Sequence, residues 1–201
     1  MSLASAGNML RGRAVLLVVG LLVSAAGSAR AEAEADCRPP TPTPRSSPTA
    51  RPTGIGFNLG IASAVGVAGL TVTRAFFDCL RVELGGGAGW SGWQLSLMPK
   101  VGVDLSSAGV HYLVFGAGVA LTLPGYAAST FMADGHPVWL NAEIGYEARA
   151  ENGFAFAIAA GVTRGLGGGR ICVADCGDPS NLEEVSHFIG PQFRLQFAYW
   201  F

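Results

Sequence analysis

The sequence predicts an all-β fold, an eight-stranded antiparallel up-and-down transmembrane β-barrel, and three observations carry that prediction. From Gly54 to the end, small or polar residues alternate with large apolar ones at a period of two, in segments of about ten residues, the pattern of strands with two unlike faces. The segments number eight, and an even count lets an antiparallel sheet close with both chain ends on one side. The 201 residues are 50% hydrophobic and 13% charged with 29 Gly, too apolar for a disordered chain and rich in the residue that lets a narrow interior close. Only one lysine, Lys100, is present and no basic cluster occurs, so nucleic-acid binding has no electrostatic footprint.

Residues 1–31 read as a cleaved signal peptide. Arg11 and Arg13 precede the uncharged stretch Ala14 to Ser28, and Ala29-Arg30-Ala31 is a small-x-small cleavage pattern. The apolar stretch is shorter than the roughly 20 residues a spanning helix requires. Glu34-Ala35-Asp36 before Cys37 does not resemble a lipobox. Removal of the leader leaves ten basic against fourteen acidic residues, a formal charge of −4. Residues 32–53 include PPTPTPRSSPTARP (39–52), which has no packing pattern and favours extended conformation, a periplasmic linker rather than a domain. Residues 54–201 form the barrel.

The eight strands follow in order. Ile55, Phe57, Leu59 and Ile61 alternate with Gly56, Asn58, Gly60 and Ala62; Leu70 and Val72 with Thr71 and Thr73; Leu80, Val82 and Leu84 with Arg81, Glu83 and Gly85. Trp93, Leu95, Leu97, Val101 and Val103 oppose Gln94, Ser96, Lys100, Gly102 and Asp104. Leu113, Phe115, Ala117, Val119 and Leu121 oppose Tyr112, Val114, Gly116, Gly118 and Ala120. Leu140, Ala142, Ile144 and Tyr146 oppose Asn141, Glu143, Gly145, Glu147 and Arg149. In the seventh, Phe154, Phe156, Ile158, Ala160 and Val162 oppose Ala155, Ala157, Ala159, Gly161 and Thr163. The eighth sets Ile189, Phe193, Leu195, Phe197, Tyr199 and Phe201 against Gly190, Gln192, Arg194, Gln196, Ala198 and Trp200.

Chemistry assigns the faces. Eight strands leave an interior just wide enough for side chains to fill, so the face of glycine, alanine and charged groups fits inside and the bulky apolar face looks outward into lipid. Joins at Phe77-Asp78-Cys79, Ser106 to Gly109 and Glu151 to Gly153 are short, as periplasmic turns are. Pro124 to Pro137 and Gly167 to Ser186 are expected as long outer loops. Trp90, Trp93, Tyr126, Phe131 and Trp139 fall near one rim and Phe76, Phe77, Phe154, Tyr199 and Phe201 near the other, suggesting two aromatic girdles. A helical membrane protein is the weaker reading: the uncharged stretch Leu105 to Ala133 is broken by Gly109, Gly116, Gly118, Pro124 and Gly125.

These residues resemble the eight-stranded outer-membrane barrels of Gram-negative bacteria, the OmpA and OmpX architecture, over Gly54 to Phe201. The resemblance is strongest at the C-terminus, where Phe197, Tyr199 and terminal Phe201 are similar to the assembly signal read by the barrel-assembly machinery. It implies outer-membrane lipid and that machinery as partners, and an unidentified partner at the outer loops.

Glu83, Lys100, Glu143 and Arg194 share inward parity and similar depth, so they are expected to form a barrel-interior ionic network, because such charges persist only when paired. A plug is favoured over a gate or ion path, and Arg81, Asp104, Glu147 and Arg149 extend the network toward the periplasm. Cys172 and Cys176, four apart, suit a disulfide-closed loop, leaving Cys37 and Cys79 as the other pair by parity. No catalytic, cofactor or metal site is expected: His111, His136 and His187 are dispersed without a nucleophile motif, and GLGGG (165–169) lacks the Lys-Ser/Thr of a phosphate loop. The expected role is structural or surface-interacting. The alternatives are a narrow channel or transporter for small solutes and a soluble secreted barrel that binds an apolar ligand.

Overall fold

A computed structural model describes residues 51–77, 79–89, 92–105, 110–123, 133–172 and 182–201. The leader 1–31 and the Pro-rich segment as far as residue 50 lie outside the described residues, as do Trp90, Tyr126, Phe131, Cys37 and Cys176. The strands are β1 (Thr53–Ser63), β2 (Gly66–Ala75), β3 (Leu80–Gly89), β4 (Gly92–Asp104), β5 (His111–Leu123), β6 (Ala133–Arg149), β7 (Phe154–Cys172), β8 (Leu182–Glu184) and β9 (Ile189–Trp200). Each pairs antiparallel with its neighbour, β6 with β7, β7 with β9 and β9 back to β1, giving an eight-stranded closed up-and-down barrel. Thr53 and Phe201 exchange backbone hydrogen bonds of 3.2 and 2.8 Å, so the two chain ends of the barrel leave at the same rim. We call this rim, which also carries the β2–β3, β4–β5 and β6–β7 turns, the terminal end, and the opposite rim the loop end. Among the described residues no helix is long and apolar enough to cross a membrane.

The period-two pattern of the sequence becomes a period-two pattern of exposure. Along β4, Trp93, Leu95, Leu97, Val101 and Val103 are exposed, whereas Ser96, Met98, Lys100 and Gly102 are buried. Along β9, Gln192, Arg194, Gln196 and Trp200 are buried while Phe193, Phe197 and Tyr199 face out. The leucines, isoleucines and phenylalanines therefore stand on the outer surface, and the ions and amides are enclosed, the reverse of a water-soluble barrel.

The loop end differs from expectation. β6 begins at Ala133 and β7 runs on to Cys172, so the bases of both expected loops, 124–137 and 167–186, are sheet. The glycine-rich stretch after Gly165 reads as a flexible exit because it lacks side-chain signal, yet its backbone is held by pairing, Gly135↔Gly169 and Asp134↔Arg170. The ladder breaks register between Gly135 and Val138, where Gly167 and Gly168 adopt φ of 124° and 88°, a bulge open to glycine. β8 is a ninth strand of three residues, pairing with the far part of β7 on the side where β9 pairs with the rest of it. Together β8 and β9 are one broken edge, interrupted by the 3-10 turn Val185–His187.

Trp139 is not a girdle residue. It sits on the inward parity of β6, 8% exposed, and donates its Nε1–H to Thr122 Oγ1 at 2.9 Å. Trp93, Phe76, Phe77, Phe154, Tyr199 and Phe201 are exposed at the rims where the sequence places them. Pro99 faces outward in β4, where Met98 and Pro99 are skipped in the ladder to β5, the accommodation a missing N–H requires. Cys79, just before β3 at the terminal end, is disulfide-bonded. Cys172 ends β7 at the loop end, its side chain not described.

Candidate functional site

The barrel interior is where charge accumulates, and strand parity places each member. Glu83 comes from β3, Lys100 from β4, Glu143 from β6 and Arg194 from β9, all inward and 8% exposed or less. The structure brings the four together. Arg194 donates from Nη1 to Glu83 Oε1 at 2.5 Å and from Nη2 to Glu143 Oε1, forking across the lumen. Lys100 Nζ lies 2.8 Å from Glu83 Oε2 and 3.2 Å from Glu143 Oε1, so two cations and two carboxylates alternate around a closed ring. Neutral groups take the remaining acceptor sites: Gln196 donates to Glu83 Oε2 at 3.1 Å, Thr73 to the same oxygen at 3.4 Å, and Gln192 to Glu143 Oε2 at 3.5 Å. A second row, Asn58 and Gln196 both donating to Thr71 Oγ1 at 2.9 Å, ties β1 and β9 to β2.

A second charged cluster lies nearer the terminal end. Arg81 donates to Glu147 Oε1 at 2.8 Å, and Arg149 donates to the same oxygen. The guanidiniums stack on aromatic rings, Arg149 3.6 Å from the centroid of Trp200 and Arg81 4.7 Å from that of Tyr112. The sequence puts Arg81, Asp104, Glu147 and Arg149 in one extended network. Here three of them form a cluster of their own, while Asp104 is exposed at the rim opposite Tyr112. Between the two clusters is a void of about 10 Å³, lined by Lys100, Glu143, Glu147, Arg194 and Gln196, room for about one water.

The loop end is closed by apolar groups instead. Ala64 and Val65, the tip of the β1–β2 hairpin, are 2% and 0% exposed, folded into the mouth rather than standing above it. Ala62 at φ 50° and a register shift between Leu59 and Ser63 turn the tip inward, and Ser63 Oγ fastens it to the Gly66 carbonyl at 2.5 Å. Gly85 is its socket: a Cβ there would overlap Val65 Cγ1 and come within 2.5 Å of Ser96 Oγ. From the other side the 3-10 turn inserts Val185, 0% exposed, against Gly165, and Phe188 meets Trp139 edge to face at 5.7 Å. Ala64, Val185, Met98, Ala120 and Trp139 form one apolar cluster above the ionic ring. Sequence reasoning gives Tyr112, Gln196 and Trp200 inward parity without a role, and it misses both inserted tips, because a turn of two or three residues carries no periodicity.

Every ion of the ring is bonded to an opposite charge, so the arrangement locks four strands together and fills the lumen. Among the described residues no group of three or more His, Cys, Asp or Glu is placed to hold a metal ion. His111 and Tyr146 pair outside the wall, Tyr146 Oη to His111 Nδ1 at 2.6 Å, and His136 and His187 are exposed at the loop end, so the three histidines do not meet. Of the expected assembly signal, Phe197, Tyr199 and Phe201 all face outward, 42%, 51% and 55% exposed. The expected pair Cys172 and Cys176 falls where side chains are not described. Comparison with protein-family models, curated proteins and solved structures finds no match.

Proposed function

We propose that the chain is exported by its first 31 residues and built into the outer membrane of a Gram-negative cell as an integral barrel with a structural or surface-interacting role. The observation that carries this is the inverted partition of side chains: an ionic, amide-lined interior inside a belt of exposed Ile, Leu, Val and Phe. Soluble monomers rarely expose contiguous apolar patches beyond a few hundred Å². Here the belt runs around the barrel, from Ile55 and Leu70 through Leu97, Phe115 and Ile144 to Ile158 and Phe193. Its height fits a bilayer. On β7 the outward row Phe154, Phe156, Ile158, Ala160, Val162 is uncharged until Arg164. Ten residues at about 3.3 Å each and a tilt of about 40° rise roughly 25 Å, the height of the apolar band of such barrels.

In this reading residues 32–53 form a periplasmic linker, the C-terminal aromatics are read by the barrel-assembly machinery, and the segments beyond β5 and β7 face the cell exterior. The lumen is plugged: an ionic ring and an apolar cap lie in series, and the void between the charged clusters holds about one water, too small for a solute path. Membrane fractionation followed by gel mobility with and without boiling tests the proposal. The expected result is recovery in the outer-membrane fraction and a faster band before heating. Recovery in the detergent-free soluble fraction overturns it.

A further inference from the structure

The structure assigns a disulfide between Cys37 and Cys79 that closes the chain around the β1–β2 hairpin and makes the Pro-rich segment a loop tied to the terminal end. Cys79 is disulfide-bonded, and the other cysteines of the chain are Cys37, Cys172 and Cys176. Cys37 and Cys176 lie outside the described residues, so reach decides among the three.

Cys79 belongs to the terminal end. Its carbonyl accepts the Gly102 N–H at 2.8 Å, and in the turn before it the Phe76 N–H donates to the Leu80 carbonyl at 2.9 Å. Cys172 is the last residue of β7, a 19-residue strand that leaves the terminal end at Phe154. The part of that strand up to Arg164 already rises roughly 25 Å, and Cys172 lies beyond it, in register with Leu182 of β8. A disulfide needs Cα atoms within about 7 Å of each other. Cys176, four residues further on, adds at most about 14 Å of reach, and the two together fall short of that rise. Neither cysteine of the loop end reaches Cys79, which leaves Cys37.

The entry of the chain into the barrel suits this bond. Pro52 accepts the Ala75 N–H at 2.7 Å, so the Pro-rich segment joins the wall beside the very turn that carries Cys79. The ring closed by the bond contains all of β1 and β2. β1 is the seam strand, paired with β2 on one side and with β9, the last strand, on the other, so its release opens the barrel. A covalent tie from the segment before β1 to the turn after β2 opposes that release, because it removes open conformations from the unfolded chain. Formation of the bond oxidises two thiols. Their two electrons and two protons pass to a second disulfide, that of a thiol–disulfide exchange oxidant, which leaves as two thiols. In the cell such an oxidant meets exported chains, so the physiological setting rests on the export proposed above.

The test is limited trypsin digestion of the full chain refolded in detergent with a glutathione couple, read by mass with and without dithiothreitol. Refolding in this way needs no export, so failure of the assignment and failure of the export proposal read out separately. Arg38 and Arg51 precede proline and resist trypsin, so the linker is cut after Arg45. The expected result is that the peptide ending at Arg45 stays on the barrel until reductant is added, and that in Cys79→Ser it leaves without reductant. Release from the oxidised parent, or retention in Cys79→Ser, overturns the assignment. Cys37→Ser alters nothing in the barrel wall and serves if Cys79→Ser does not fold: a maleimide added in denaturant is expected on Cys79, and a label on Cys172 or Cys176 instead overturns the pairing. The urea midpoint of Cys37→Ser is expected to fall below that of the oxidised parent, and an unchanged midpoint overturns the role at the seam.

Discussion

Arg194 is the pivot of the interior, and its removal provides the sharpest test of how the barrel is held. It bridges Glu83 and Glu143, which lie 60 residues apart in the chain and on separate strands, through one forked guanidinium. Arg194→Met keeps the volume and removes both bonds, leaving Lys100 alone between two carboxylates at 2.8 and 3.2 Å. One carboxylate is then uncompensated in an enclosed lumen, a loss of about 3–5 kcal/mol. Adding Glu143→Gln restores one cation to one anion, and the double variant should recover at least about 2 kcal/mol of that loss, since charges sharing one network are strongly non-additive. Urea unfolding of the refolded protein, read by the band that shifts on heating, measures both variants at constant slope. A loss below about 1 kcal/mol for Arg194→Met, or additivity in the double variant, would falsify the argument that the ring's charges hold one another in place.

Two further outcomes probe the outer face and the cap. Ile144, 48% exposed at the middle of β6, should tolerate arginine within about 0.5 kcal/mol if it meets water, but lose about 2–4 kcal/mol and most of the folded yield if it meets acyl chains; urea midpoints of Ile144→Arg in bilayers distinguish these, and the larger loss is expected. Gly85→Val fills the socket of Val65 and should lift the β1–β2 tip out of the mouth. A cysteine introduced by Ala64→Cys is then expected to be slow toward a water-soluble maleimide in the parent background and fast with Gly85→Val; equal rates would refute the inserted tip.

The parity of each strand was legible in the sequence because a β-strand has only two faces, so a run such as Phe193, Leu195, Phe197 and Tyr199 against Gln192, Arg194 and Gln196 allows one choice, and the narrowness of an eight-stranded interior makes it. Depth was legible only in part. Counting from strand ends grouped Glu83, Lys100, Glu143 and Arg194, but it could not separate the Arg81–Glu147–Arg149 cluster from them, because that depends on stagger and side-chain reach across the lumen. The turns were least legible. Ala64 and Val65 look like any short hairpin tip, and GLGGG looks like a flexible exit, since neither contains side chains arranged by a period. Trp139 shares the inward parity of Asn141 and Glu143, so alternation alone turns it into the lumen, and grouping it with the rim aromatics follows depth without regard to face.

The sequence by itself therefore determined the wall: the number of strands, their order, and which side chains look in and which look out, all consequences of a period of two. Only the tertiary structure decided what fills the lumen and closes it: which cation meets which carboxylate, that Val65 and Val185 seat against Gly85 and Gly165, and that Arg149 and Trp200 face each other with donors unspent. Those are contacts between residues tens of positions apart in the chain, fixed by barrel closure and stagger, and no local pattern carries them.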